Sequence, residues 1–209
     1  WQKSLGLAQQ FFEVPLEHTP TAFMFTDGKG DQITFFEWGA SKIFPESVAP
    51  SLPFVHLATA DPDFNCRVAE EAEFCTFDPG QDLHRYSRAQ LERILSHVDI
   101  LFANHHEVES MSRTLGTSKE ALANRVPMAV FTMGAGGSEF SRGCEKERIP
   151  ALCVSMVDPT GAGDAYRAGF LAAMKKGYSP LVCCRIGTVT ASFAVEVAGC
   201  QNNLPTWDL

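Results

Sequence analysis

From residue 54 onward the chain repeats one pattern, a compact apolar run followed by a stretch with helical periodicity. "FVHLAT" (54–59) and "FCTFD" (74–78) are short apolar runs bounded by Asp-Pro, in the manner of buried strands. "SRAQLERILSHV" (87–98) then puts Leu91, Ile94, Leu95 and Val98 on one helical face and leads into "DILFAN" (99–104), another strand candidate. "HEVESMSRTLG" and "SKEALANR" are helical again, and "MAVFTMG" (128–134) returns to strand. Alternation at this spacing requires crossovers between parallel strands, so the expected fold is α/β, a doubly wound, mostly parallel sheet flanked by helices. In such sheets ligands gather beyond the carboxyl ends of the strands, where the loops "ANHHE", "TMGAGG" and "DPTGAGD" fall.

Composition narrows the function classes. The chain has 209 residues, 45% hydrophobic and 20% charged, enough for one well-buried domain and at most two units. Its 17 Lys and Arg stand against 25 Asp and Glu, and a net charge of −8 gives no general basic field for nucleic acid or anionic lipid. Any phosphate must therefore be held locally. Seven cysteines, odd in number and without zinc or redox spacing, point to buried thiols in a reducing cytoplasm. No apolar run approaches the length of a membrane span and no secretory leader is evident, so a cytoplasmic location is expected. The six histidines show no metal-ligand spacing, and His105 and His106 should diverge as neighbours on a helix, so no zinc is expected. The chain begins at Trp1, with "WQKSLGLAQQFF" reading as a helix tail closing at Gly6, and it reads as a fragment. "TAFMFTD" (21–27) and "QITFFEW" (32–38), joined by "GKGD", read as a hairpin, before a proline-spaced linker at 45–53.

The stretch "VDPTGAGD" (157–164) opens a helical segment, "AYRAGFLAAMKKG". Gly161 and Gly163 let the backbone turn with no β-carbon in the way, so that successive amides converge on an anion at the first helical turn. Asp164 among those donors could take the proton from a hydroxyl attacking a phosphate, or it could simply cap the helix. Spacing alone leaves both readings open.

"DPTGAGDAYRAGF" resembles the signature of the ribokinase-like (PfkB) family of sugar and nucleoside kinases, departing from it by Pro159. "NHHE" (104–107) is similar to that family's Asn-x-x-Glu, "TMGAGG" (132–137) to its Thr-x-Gly-x-x-Gly loop, and "AVEVAGCQNNLP" (194–205) to its terminal segment. "FTDGKGDQITFFEWGA", "FDPGQDLHRYS" and "NLPTWD" look like the archaeal-type nucleoside kinases of the family. The resemblance implies a ribokinase-like core at 51–209 carrying the nucleotide site, and a partial lid region with its hairpin at 1–50, the lid also being a candidate homodimer contact. It implies an ATP-dependent kinase acting on a primary hydroxyl of a nucleoside or ribose-like sugar. Asp164 would be the base, with the amides of Gly161, Ala162 and Gly163 as the anion hole.

Asn104 and Glu107 would position Mg2+ and phosphates through water, or they could form a reciprocal helix cap. Thr132, Gly134 and Gly137 would lie along the nucleotide and Thr188 near the adenine, although the loop could be a plain strand-ending turn. A potassium-like ion, K+, would sit beside Asp158, Thr160, Ala194, Val197, Gly199 and Asn203, within or after a segment (180–198) otherwise read as a core helix. The family's segments that grip the acceptor hydroxyls would precede Trp1. "DPGQD" could contribute Asp78, Gln81 or Asp82, or be ordinary turn chemistry. A second reading is thus a non-catalytic, nucleotide-binding or dimerising remnant lacking its acceptor site.

Overall fold

The computed structural model describes residues 12–26 and 32–208, which form two compact units divided between Ala49 and Pro50. The expected helix tail before Gly6 and the "GKGD" turn lie outside the described residues. In the first unit, β1 (Thr21–Thr26) and β2 (Gln32–Glu37) pair antiparallel, with Thr21 opposite Glu37 and Phe23 opposite Phe35. Phe23, Met24, Phe25, Ile33, Phe35 and Phe36 are all exposed, so both faces of this ribbon are apolar. A 3-10 helix, Gly39–Glu46, follows and runs into the start of the proline-spaced linker expected at 45–53.

The second unit is built on one six-stranded sheet. Four parallel strands, β3 (Val55–Leu57), β4 (Cys75–Phe77), β5 (Ile100–Asn104) and β6 (Met128–Thr132), lie side by side in chain order. Two antiparallel strands, β7 (Ser138–Arg142) and β8 (Glu145–Ile149), extend it. The parallel strands are buried on both faces, which is why they read as unbroken apolar runs rather than alternating ones.

Helices cover both faces. α1 (Pro62–Glu71), α2 (Arg88–Leu95) and α3 (His105–Leu115) pack in series, and a short α4 (Lys119–Ala123) follows. α5 (Ala162–Lys175) and α6 (Pro180–Val195) pack closely on each other. The period of two in β5 sends Ile100 and Phe102 into a cluster with Val130, Phe140, Phe170 and Cys183. There the Phe102 and Phe170 rings meet edge to face, 5.1 Å apart. This is the doubly wound, mostly parallel sheet with a separate hairpin that the sequence implied. The sequence reading had not assigned α1, although Asp61 caps it by accepting from the Phe64 amide and Pro62 occupies its first turn. Of the seven cysteines, Cys66, Cys75, Cys183 and Cys184 are buried, while Cys144, Cys153 and Cys200 are exposed. Among the described residues no helix is long and apolar enough to cross a membrane.

Candidate active site

The carboxyl ends of β4, β5 and β6 deliver Asp78, Asn104 and Thr132 to one edge of the sheet. Asn104 pairs in register with Thr132, and Thr132 with Ser138. At the start of α3, Asn104 Oδ1 accepts from the Glu107 amide (3.0 Å) and Glu107 Oε2 accepts from the Asn104 amide (2.7 Å). The reciprocal cap left open by the sequence is therefore formed, and it fixes the orientation of both side chains. Burial raises the Glu107 carboxyl above the usual range, against the pull of the Asn104 amide and Arg167. His105 and His106 do not diverge: their rings lie 3.8 Å apart.

The start of α5 is built differently. Its N-cap is Gly161, at φ +79, and no side chain caps it. A β-carbon on Gly161 would come within 2.2 Å of Cys200 Cβ, so both backbone and space require glycine there. Gly163 has no such demand. It sits inside the helix, and a β-carbon would meet only the Arg167 guanidinium, at 3.0 Å. The Ala162 amide donates to Pro159 O (3.2 Å). Among the described residues, the amides of Gly163 and Asp164 have no backbone acceptor, which is what an anion-binding helix start needs.

Asp164 occupies the third helical position, as Glu107 does in α3, but it does not fold back on its own cap. Its Oδ1 accepts from Arg167 Nη2 at 2.7 Å, and its side chain is 82% exposed. The same Nη2 lies 2.6 Å from Asp78 Oδ2, where the aspartate side chain is only 3% exposed and Arg167 18%. Burial pushes the Asp78 carboxyl up to about 7 despite the guanidinium, with Glu107 and Asp164 adding to the rise and the Gly80 amide opposing it. On β3, His56 Nδ1 lies 2.8 Å from Thr76 Oγ1; burial, then the charge of Arg167, lowers its pKa to about 4, so the ring is neutral. Arg167 and His56 had no place among the expected site residues, and Asp78 was one of the open "DPGQD" alternatives. The "DPGQD" aspartates divide: Asp78 faces this site, whereas Asp82 is buried in an ion pair with Arg85.

Two further parts adjoin the helix start. Asp158 Oδ1 accepts from the Thr160 amide (2.9 Å) and its Oδ2 from the Gly199 amide (3.0 Å), lacing the loop before α5 to the loop after α6. Those backbone donors hold the Asp158 carboxyl below the usual range. Asn203 Nδ2 donates to Phe193 O (2.9 Å), and the amides of Val157 and Asp158 both donate to Val195 O. The Thr132–Gly137 segment is a 3-10 turn at Gly134–Gly136 between β6 and β7. A β-carbon on Gly137 would strike Ile149 O at 2.1 Å, so this loop packs backbone to backbone. Arg148 Nη2 approaches Gly136 O at 3.4 Å and also lines a cavity of about 360 Å3 with Pro150, Leu152, Arg185, Thr188 and Val189. Thr188 thus lies in that cavity. Tyr166 and Ser138, 2.9 Å apart, tie α5 to β7 between the two areas.

Among the described residues no group of three His, Cys, Asp or Glu side chains could hold a metal.

Residues 3–207 match the family described as pfkB family carbohydrate kinase. The nucleoside kinase of Methanocaldococcus jannaschii is 46% identical over 198 residues, covering 92% of this chain and 66% of that protein. That of Methanothermobacter thermautotrophicus is 45% identical over 199 residues, covering 90% and 64%. The chain thus spans slightly less than two thirds of the length of these relatives. The crystal structure of the Methanocaldococcus jannaschii enzyme, an archaeal member of the ribokinase family, superposes with a TM-score of 0.86 over 92% of this chain and 67% of that one. Burkholderia thailandensis nucleoside kinase in complex with inosine gives 0.89 at 25% identity, over 99% and 71%.

Proposed function

Because the chain belongs to the pfkB family of carbohydrate kinases, we propose that the intact gene product transfers the γ-phosphate of ATP to a primary hydroxyl of a nucleoside or ribose-like sugar. The observation that carries this reading is the open start of α5: two amides without backbone acceptors beside an exposed carboxylate. Asp164 takes the proton of the attacking hydroxyl, and the Gly161–Gly163 backbone receives the charge gathering on the transferred phosphoryl group. Asn104 and Glu107, held by their mutual cap, face the phosphates and the water shell of Mg2+, which neutralises phosphate charge when bound. Thr132, Gly134 and Gly137 run along the nucleotide, and the cavity at Thr188 takes its base. Oxygens of Asp158, Thr160, Ala194, Val197, Gly199 and Asn203 would hold a K+-like ion, whose charge would support the anion hole. The identity to two nucleoside kinases favours a nucleoside over a free sugar as acceptor.

The apolar hairpin belongs to a lid region at residues 1–50, separate from a core at 51–209, and a second copy of the chain covers its exposed phenylalanines. The location is cytoplasmic, and neither nucleic acid nor membrane is a partner.

Asp164→Asn tests the central claim. Initial rates on the intact gene product should fall by about 10²- to 10⁴-fold with ATP affinity largely kept, because a general base acts mainly in the transition state. Near-normal turnover in that variant removes Asp164 from the role.

A further inference from the structure

We infer that Asp78 and Arg167 form a hydrogen-bonded tether that positions the Asp164 carboxylate, running from the buried end of β4 to the exposed start of α5. The inference rests on the reading of Asp164 as the base.

One nitrogen of Arg167 touches both acids, at 2.6 Å from Asp78 Oδ2 and 2.7 Å from Asp164 Oδ1. A guanidinium is a planar fork of donors, so anchoring it on one carboxylate fixes where the other must lie. The anchor is firm because Asp78 is buried, and the Gly80 amide donates to its other oxygen (3.2 Å). Asp164 by contrast is exposed on a helix start with no wall around it, and without a partner it would sample several rotamers.

An acid at the third helical position also has a competing choice, which Glu107 takes at α3: it can return to the amide of its own cap residue. Arg167, one turn further along α5, draws Asp164 the other way. The carboxylate is kept off the helix start, and the open amides stay available. Stability is a poor explanation for the arrangement. An ion pair to a largely exposed carboxylate adds little, and a buried pair is weak evidence for net stabilisation.

The charges around the tether agree with this assignment. Glu107 from α3 and His56 from β3 both face Arg167, and each is shifted by its charge. His56 is neutral, so Arg167 is the one cation among the groups acting on Asp78.

The test measures kcat and KM on the intact gene product, with ATP and a nucleoside as substrates and single-turnover transfer for slow variants. Arg167→Met should lower kcat about 100-fold while KM for ATP moves less than about threefold, as expected for a misplaced reacting group. Arg167→Lys keeps a charge but lacks the fork, and should fall about tenfold. Asp78→Asn should lower kcat comparably, since the anchor is gone. In an Asp164→Asn background, Arg167→Met should cost less than about threefold more, because groups acting through one another are not additive. Full turnover in Arg167→Met, or an equal loss in both backgrounds, overturns the tether. If Arg167→Met does not fold, Arg167→Lys in the two backgrounds decides by the same criterion. A dead Asp164→Asn with a fully active Arg167→Met refutes the tether alone, whereas an active Asp164→Asn refutes the base.

Discussion

Two helices start at the same edge of the sheet, each with an acid at its third position, and they treat it in opposite ways. α3 closes on itself: Asn104 and Glu107 satisfy each other's amides. α5 begins at a glycine without a cap, and its acid is drawn outward to Arg167. A helix that caps itself gains local stability and uses up its donors; one that starts on glycine leaves them for a ligand. The identity of the first residue, Asn or Gly, separates a start whose donors are used up from one whose donors stay open.

The largest effect should come from giving the open start a β-carbon. Gly161→Ala forces an alanine to φ +79 and into Cys200, so the amides must turn away from their common focus. Turnover should drop by about 10²- to 10³-fold, the typical cost of a lost oxyanion donor. The melting temperature should also fall, since a left-handed conformation costs alanine about 1–2 kcal/mol. Unchanged turnover would show that the open start is not required.

Beneath the open start lies Asp78, and its burial predicts a pH signature in stability. In the folded chain its carboxyl holds a proton from the ordinary 3.8 up to about 7, so stability falls as pH rises through that window. His56 works the other way: the unfolded ring binds a proton below 6.5 and the folded ring only near 4, so stability rises with pH between those values. At about 1.4 kcal/mol per pKa unit the two slopes nearly cancel. Melts of His56→Gln should therefore show stability falling more steeply, or rising less, with pH between 4 and 6.5 than in the parent. An unchanged slope would mean that the His56 ring is not lowered.

Closing forces at α3 are smaller. Asn104→Ala removes the cap and should cost about 1–2 kcal/mol in a urea melt, while Gly161 has no capping side chain to lose. No change would mean that the reciprocal bonds contribute nothing. The smallest effect is expected at Gly163. Alanine there gains up to about 1 kcal/mol of helix propensity, and its β-carbon presses only on the movable end of Arg167. Melts should be unchanged or slightly improved, with turnover lowered modestly through Arg167. A loss as deep as that of Gly161→Ala would make the two glycines equivalent.

What the sequence disclosed followed local rules. Apolar runs bounded by Asp-Pro became β3 and β4, the Leu91–Leu95 stripe became α2, and Asn-x-x-Glu announced a helix start. α1 escaped because Asp61-Pro62 reads equally as a turn and as a cap followed by proline in the first turn. β8 escaped because "EKERI" lacks an apolar pattern, and pairing with β7 alone makes it a strand. The base and anion-hole candidates lie in one contiguous stretch and could be singled out together. Arg167 lies in the same helix, yet its meaning depends on Asp78 at the end of β4, and no spacing rule connects the two. Of the paired glycines, only the backbone angles separated Gly161, which needs to be glycine, from Gly163, which does not.

β8 also bears on how this molecule meets others of its kind. It stands at one margin of the six-stranded sheet, and Glu145 and Glu147 on one face and Lys146 and Arg148 on the other are all exposed. A bare strand margin invites a neighbouring chain to continue the sheet, and closely spaced charges of both signs make that junction unfavourable unless the newcomer matches them. Unwanted growth into fibrils or amorphous precipitate is discouraged along this border. The charged border therefore serves colloidal behaviour at high concentration, a role separate from anything the chain does to a small molecule.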